Sequence, residues 1–271
     1  MTQNTPLSRR ALLGGIAGTT ITGLSGCTSD NGENSSGPRT GGFETVIVEG
    51  TDLVVELVDD HPLDRLSIID PNGEQFAEQG LPAGVTRQTF PLGSNYRPGE
   101  YEIIGIADDE MYSSTSMKIK PDITITDLRL GLNHPDEMYE TFTDRGAERE
   151  VLIQVENSGL GHDSLRRLTF SGNVPRPSPD DQEESGILDT DSEIALDAEE
   201  VILPPGEERT IFSNSMPFGP GADGTVCAAT SSGSSFEVHL ETSVNESGVT
   251  RSYELSHSSS EESDCEVEVE E

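Results

Sequence analysis

From Phe43 onward the chain is broken into short alternating runs by turn sequences about every ten residues, and no run of about eleven residues keeps a helical period. Glu44–Val48 and Leu53–Val58 flank Gly50-Thr51-Asp52. Leu66–Ile69 meets Asp70-Pro71-Asn72-Gly73, a strong turn sequence, and Glu74–Ala77 follows it. Thr86–Leu92 precedes Arg97-Pro98-Gly99, Glu100–Ala107 alternates most cleanly, and Ser113–Ile119 closes the series. Six or seven short strands in such a length predict an antiparallel β-sandwich over residues 43–120.

The pattern restarts at Pro121. Asp122–Leu132 and Arg149–Glu156 alternate, the second running into Asn157-Ser158-Gly159. Arg167–Phe170 is a shorter strand, and Val201–Leu203 leads through Pro204-Pro205-Gly206-Glu207 to Arg209–Phe212. Phe236–Val244 and Val249–Leu255 flank Asn245-Glu246-Ser247-Gly248, a hairpin signal. Residues 121–271 therefore predict a second sandwich, and the fold class is all-β with two tandem antiparallel modules. Residues 174–200 interrupt it: three prolines, then ten acids and no base from Asp180 to Glu200, which reads as a solvated insertion. A helical turn or short edge strand around Ile194–Leu196 is compatible with that text.

Charge narrows the solvent and the partners. Asp and Glu number 51 against 16 Lys and Arg, a formal charge of −35, and only Lys118 and Lys120 are lysines. Such a surface repels itself at ordinary ionic strength, whereas in molar salt the Debye length is about 3 Å and the repulsion is screened. Nucleic acid is excluded as a partner, because phosphate neutralisation needs clustered bases. With tryptophan absent as well, the composition resembles proteins of extremely halophilic archaea.

The first residues read as an address. Arg9-Arg10 is a twin-arginine pair, a weakly apolar run spans Ala11–Gly26, and it ends in Leu24-Ser25-Gly26-Cys27. At about sixteen residues the run is shorter than the ~20 a spanning helix needs and fits a signal peptide. The L-S-G-C sequence resembles a lipobox, and the three features in this order resemble the twin-arginine-exported lipoproteins of haloarchaea. That resemblance implies a leader over residues 1–26, cleavage before Cys27, and a membrane lipid on its sulfur. Residues 27–42, polar and rich in Gly and Ser, read as a flexible tether. The segment Pro98–Ile103 resembles the closing strand of extracellular immunoglobulin-like modules. The N-S-G turn followed by L-P-P-G-E resembles CARDB-type sandwich domains of prokaryotic surface proteins.

With Cys27 assigned to lipid, Cys227 and Cys265 remain, an even number in an exported chain. Bridged, they close a loop of about 38 residues, worth roughly 4 kcal/mol in the chain-entropy model; two free thiols are the alternative. Without the bridge the Ser- and Glu-rich tail 256–271 reads as disordered; with it, Glu266–Val269 reads as a short edge strand pinned to the body, its glutamates outward. Asn34 and Asn245 stand in glycosylation sequons.

No catalytic constellation stands out. There is no G-x-S-x-G, H-E-x-x-H, Walker loop or G-x-G-x-x-G. His61 and His134 have acidic neighbours, but in a chain this acidic such company is expected by accident. His162-Asp163 reads as a solvated turn, and His239 as an outward residue beside Glu237 and Glu241. The acidic loops at Asp59-Asp60, Asp108-Asp109-Glu110 and Asp180-Asp181 suit calcium in ligand type but lack EF-hand spacing, and loose association of sodium or potassium with an acidic surface accounts for them equally. No cofactor and no dedicated metal site is expected. The expectation is a non-enzymatic, lipid-anchored module on the outer face of the cell membrane, engaged in adhesion, envelope organisation or accessory binding to an envelope partner. A solute-binding lipoprotein would need α/β lobes with parallel strands, and a secreted hydrolase a cleft with convergent polar groups.

Overall fold

A computed structural model describes residues 41–139, 147–192, 196–219, 233–259 and 265–270. Every strand pairing in it is antiparallel. The first seven strands are β1 (Phe43–Glu49), β2 (Asp52–Leu57), β3 (Arg65–Ile69), β4 (Gln75–Gly80), β5 (Arg87–Pro91), β6 (Gly99–Ala107) and β7 (Glu110–Ile119). They form a three-stranded sheet in the order β1-β2-β5 and a four-stranded sheet in the order β4-β3-β6-β7. Alternation decides which side chains meet between the sheets. Leu53, Val55 and Leu57 of β2 face Leu66 and Ile68 of β3 and Tyr101 and Ile103 of β6 across one hydrophobic core.

Eight further strands follow: β8 (Ile123–Leu130), β9 (Val151–Asn157), β10 (Asp163–Gly172), β11 (Val201–Leu203), β12 (Glu208–Phe212), β13 (Ser234–Thr242), β14 (Val249–Ser259) and β15 (Cys265–Glu270). Their sheets are β12-β9-β8 and β11-β10-β13-β14-β15. Taken in chain order, this repeats the earlier pattern: β12-β9-β8 corresponds to β5-β2-β1, and β11-β10-β13-β14 to β4-β3-β6-β7. β15 is added at the free edge, where the tail was expected to lie. A second core joins Val151, Ile153 and Val155 of β9 to Phe170 of β10, Phe236 and Val238 of β13, and Tyr253 and Leu255 of β14. The sandwich class is as expected, and both cores lie within one unit, Pro38–Glu271.

Two local devices fix the first half. Asp70 accepts from the main-chain N–H groups of Asn72 (2.8 Å) and Glu74 (2.9 Å), so the Asp-Pro-Asn-Gly turn closes on a carboxylate. Those bonds, with Arg97 beside it, hold its pKa below the usual aspartate range. Tyr101, fully buried, donates its hydroxyl back to the carbonyl of Arg97 at 2.9 Å. This is the tyrosine corner of immunoglobulin-like sandwiches, and it lies in the Pro98–Ile103 segment singled out from sequence.

The insertion at 174–200 departs from expectation. Val174, Ile187, Leu188 and Ala198 are buried, and Val174, Ile187 and Ala198 belong to the second core. Its acids are mostly turned outward, but Asp197 accepts from the N–H groups of Ser185 (2.6 Å) and Gly186 (2.9 Å) and from the Asn214 amide (3.1 Å). A bridge between Leu188 and Asp197 pairs two arms of this segment, and a second between Ile187 and Ser213 attaches it beyond β12. The segment is a packed flap with a charged exterior. Of the strand anticipated around Ile194–Leu196, Ile194 lies outside the described residues, and Leu196 is exposed.

Candidate functional site

A buried polar joint lies between the two cores. The N-S-G turn after β9 folds back on the connection between β7 and β8. Lys120's carbonyl accepts from the N–H groups of Leu160 (3.0 Å) and Gly161 (3.2 Å), and Asp122's carbonyl from Ser158 (3.0 Å). Asn157, wholly buried, holds this turn to the Pro204-Pro205-Gly206-Glu207 turn. Its amide nitrogen donates to the carbonyls of Gly161 (2.8 Å), Leu203 and Pro204 (3.1 Å each), while its Oδ1 accepts from the Asp122 and Gly159 N–H groups (3.1 Å each). The N-S-G and L-P-P-G-E sequences, distant in the chain, are thus parts of one hydrogen-bonded knot.

His162 and Asp163, expected in solvent, are both fully buried here. Tyr96, from the loop between β5 and β6, donates its hydroxyl to the His162 carbonyl at 2.9 Å, and the rings sit 5.0 Å apart. His162 Nε2 lies 3.0 Å from the Gly93 carbonyl, which makes it the protonated nitrogen, and Nδ1 has no partner among the described residues. Burial lowers its pKa below the ordinary histidine value, against the opposing pull of the Gly93 carbonyl and of Asp163 and Asp52. Asp163 is held in place by hydrogen bonds: it accepts from the N–H groups of Ser164 (2.8 Å), Val244 (2.8 Å) and Asn245 (3.2 Å). Val244, carried on the β13–β14 hairpin, is buried in the first core. A Cβ on Gly161 would collide with the Tyr96 hydroxyl, so only glycine fits there. The joint binds loops from both halves.

The other residues singled out from sequence are dispersed. Arg9, Arg10, Cys27, Asn34 and Cys227 lie outside the described residues, and Cys265 opens β15 with its side chain outside them. Asn245 sits in its hairpin turn with its amide nitrogen donating to Gly248's carbonyl (3.2 Å) and its oxygen accepting from Ser247 (2.8 Å). His61 uses both ring nitrogens on main-chain groups of Val85 (2.8 Å) and Leu63 (3.2 Å). His134 pairs with Glu137 (3.1 Å), and His239 lies on the outward face of β13, bonded to Thr250 (2.8 Å). Asp109 of the acidic loops pairs with Arg65 (2.8 Å), and Asp180 and Asp181 are exposed. Among the described residues, no three His, Cys, Asp or Glu side chains gather as metal ligands.

A groove of about 670 Å³ is lined by the described residues of the flap, β11 and β12. Leu188, Ala198 and Ile211 are buried along it, Leu196 and Ile202 are 51% and 39% exposed in it, and Asp189, Asp191, Glu199, Glu200 and Arg209 ring it. Sequence reading missed it, because it exists only where the flap, β11 and β12 come together.

No family model matches the chain, and no curated protein matches it. Among solved structures, a two-domain fibronectin type-III segment from chicken tenascin aligns at 12% identity over 78% of this chain and 97% of its own, with a TM-score of 0.28. A β-glucuronidase of glycoside hydrolase family 2 aligns at 12% identity over 78% of this chain but 18% of its own, at 0.25. Salmonella α-2-macroglobulin, at 16% identity, covers 80% of this chain and 14% of its own, at 0.21. The chain thus spans a small part of the two larger proteins. The sandwich assignment rests on the sheets and their register.

Proposed function

We propose that the protein is a non-enzymatic lipoprotein of a halophilic archaeon, exported through the twin-arginine route and held by lipid on Cys27 at the outer face of the cell membrane. Its strand-built body serves adhesion, envelope organisation or accessory binding. One observation carries the reading: Arg9-Arg10, the apolar run and Leu24-Ser25-Gly26-Cys27 occur in that order, and the Gly/Ser-rich residues 28–42 that follow suit a spacer. Lipid attachment contributes about 0.8 kcal/mol per buried CH₂, so two chains on one cysteine hold a body of this size firmly. The acidic surface suits a salt-rich exterior, and export after folding suits a chain that needs cytoplasmic salt to fold.

The test is fractionation of cells expressing the native chain and Cys27→Ala. The native protein is expected in the membrane fraction with a lipid-modified Cys27 as its first residue by mass spectrometry, and the variant in the medium or uncut. Native protein whose Cys27 carries no lipid, or a cleaved variant that stays on the membrane as firmly as the native form, overturns the anchor.

A further inference from the structure

We infer that the seam beside β12 is a strand-acceptor groove, and that its occupant is an extended segment of a protein partner with alternating apolar and basic side chains. The argument starts from register. Asn157 N–H donates to the Glu207 carbonyl, and Ser213 N–H to the Val151 carbonyl, so the odd-numbered residues of β12 point their main-chain groups at β9. Glu208, Thr210 and Phe212 therefore direct theirs away from the sheet. The flap uses the far end of that edge, where Leu188 N–H donates to the Phe212 carbonyl (2.8 Å) and Asn214 N–H to that of Gly186 (2.8 Å). Its two arms then pair with each other, Asp189 N–H donating to Leu196's carbonyl (2.8 Å). The chain has begun a strand beside β12 and abandoned it half-way. At Thr210 and Glu208 no outward main-chain hydrogen bond is made among the described residues, and both side chains are exposed.

An open edge is ordinarily blunted by charged side chains, proline, a bulge or a covering loop; β12 reads Glu-Arg-Thr-Ile-Phe, with charge at Glu208 and Arg209 but no proline, and the flap pairs only with its Phe212 end. Beside it lie the exposed side chains of Leu196 and Ile202, so a guest strand would find both a hydrogen-bonding edge and an apolar wall. Charge selects the guest. Asp189, Asp191, Glu199 and Glu200 line the groove against Arg209, Glu208 is exposed on β12 itself, and Arg209 already lies 3.7 Å from Glu207. Lysine or arginine at every second position of a guest would meet these carboxylates in contact, which the acid-rich strands of a second copy would not. In molar salt only pairs in contact count, so main-chain pairing and aliphatic burial supply most of the affinity.

The test uses the full-length protein and a labelled short peptide of alternating valine and lysine, followed by fluorescence anisotropy in low and in molar salt. Saturable binding that persists in molar salt is expected. A fully N-methylated peptide of the same sequence, unable to pair, should bind at least about tenfold more weakly. Thr210→Pro, which removes an outward N–H at a position where edge strands accept proline, should lose affinity to a similar extent with an unchanged circular dichroism spectrum. Ile202→Ser gives a second reading that leaves the backbone alone, with a several-fold loss expected. Equal binding of the methylated and unmethylated peptides overturns the proposal, as does binding that vanishes in molar salt or is indifferent to both substitutions.

Discussion

β6 and β13 occupy the same place in their two sheets, and over Gly99–Gly105 and Ser234–Leu240 their side chains follow the same order of buried and exposed positions. Tyr101 and Phe236 fall at the same step, both fully buried, but they do different work. Tyr101 reaches back to Arg97 and closes the corner ahead of its strand. Phe236 has no hydroxyl to do this; its ring packs edge-on to Phe218 (5.4 Å) and stacked on Tyr253 (5.4 Å). The first half fixes its corner with one hydrogen bond, the second with an aromatic cluster. The same contrast holds at the connection between the third and fourth strands of each half. Asp70 closes a tight turn near the surface, whereas Asp197 folds a long flap down onto the core. A carboxylate capping main-chain N–H groups is the common device, and the length of chain it organises is what differs.

If the second half depends on its aromatic cluster, Phe236→Ala should be the most damaging single change. A loss of about 3–5 kcal/mol is expected, the range for truncating a fully buried phenylalanine. Denaturant unfolding followed by circular dichroism measures it. Because Val244 and Tyr96 cross between the halves, the transition should stay single; two separate transitions would mean that the joint does not couple the cores.

Asp197→Ala comes next, at about 2–3 kcal/mol, because it strands the N–H groups of Ser185 and Gly186 in a buried turn. Hydrogen exchange should show the flap at 185–198 losing protection before the sheets do. An equal loss of protection in β9 and β13 would show that the flap is part of the global unit. Tyr101→Phe removes a single neutral hydrogen bond without emptying the core, so a loss of about 1 kcal/mol is expected by the same measurement. A loss as large as that of Phe236→Ala would erase the distinction between the two halves.

The strands were readable because alternation and turn chemistry are local. Pro98–Ile103, the Asp-Pro-Asn-Gly turn and the tail strand are all in place, each within a few residues of expectation. What escaped notice was decided by partners far along the chain. His162-Asp163 looks like any polar turn until Tyr96 and the Val244 hairpin cover it. Prolines and acids dominate residues 174–200, and the four apolar residues that bury there are too widely spaced to form a period. Asn157 was legible as a turn former, but its knot with Leu203 and Pro204 needed the sheets to exist first. The groove shares this limit, since its edge becomes free only because the flap stops pairing.

The smallest expected effect comes from two buried titratable groups that oppose each other, one in the joint and one in the second half. His162 has a lowered pKa, so its contribution is complete above the unfolded value near 6.5 and shrinks as pH falls below it. Glu150, 3% exposed, with Oε2 unpartnered among the described residues, is pushed up by burial to about 7. Its contribution is complete below the unfolded value of 4.5 and is lost as pH rises toward 7. Between pH 7 and 5, acidification therefore weakens the joint while strengthening the β9 end of the second core, and the native protein should show a shallow net slope. Glu150→Gln should steepen the loss of stability toward acid, and His162→Gln, whose amide nitrogen can still reach Gly93, should reverse its sign. Denaturant midpoints at fixed molar salt read both. Identical pH profiles for the two variants would mean that neither group titrates from a buried place, and the contrast between the joint and the second core would lose its electrostatic part.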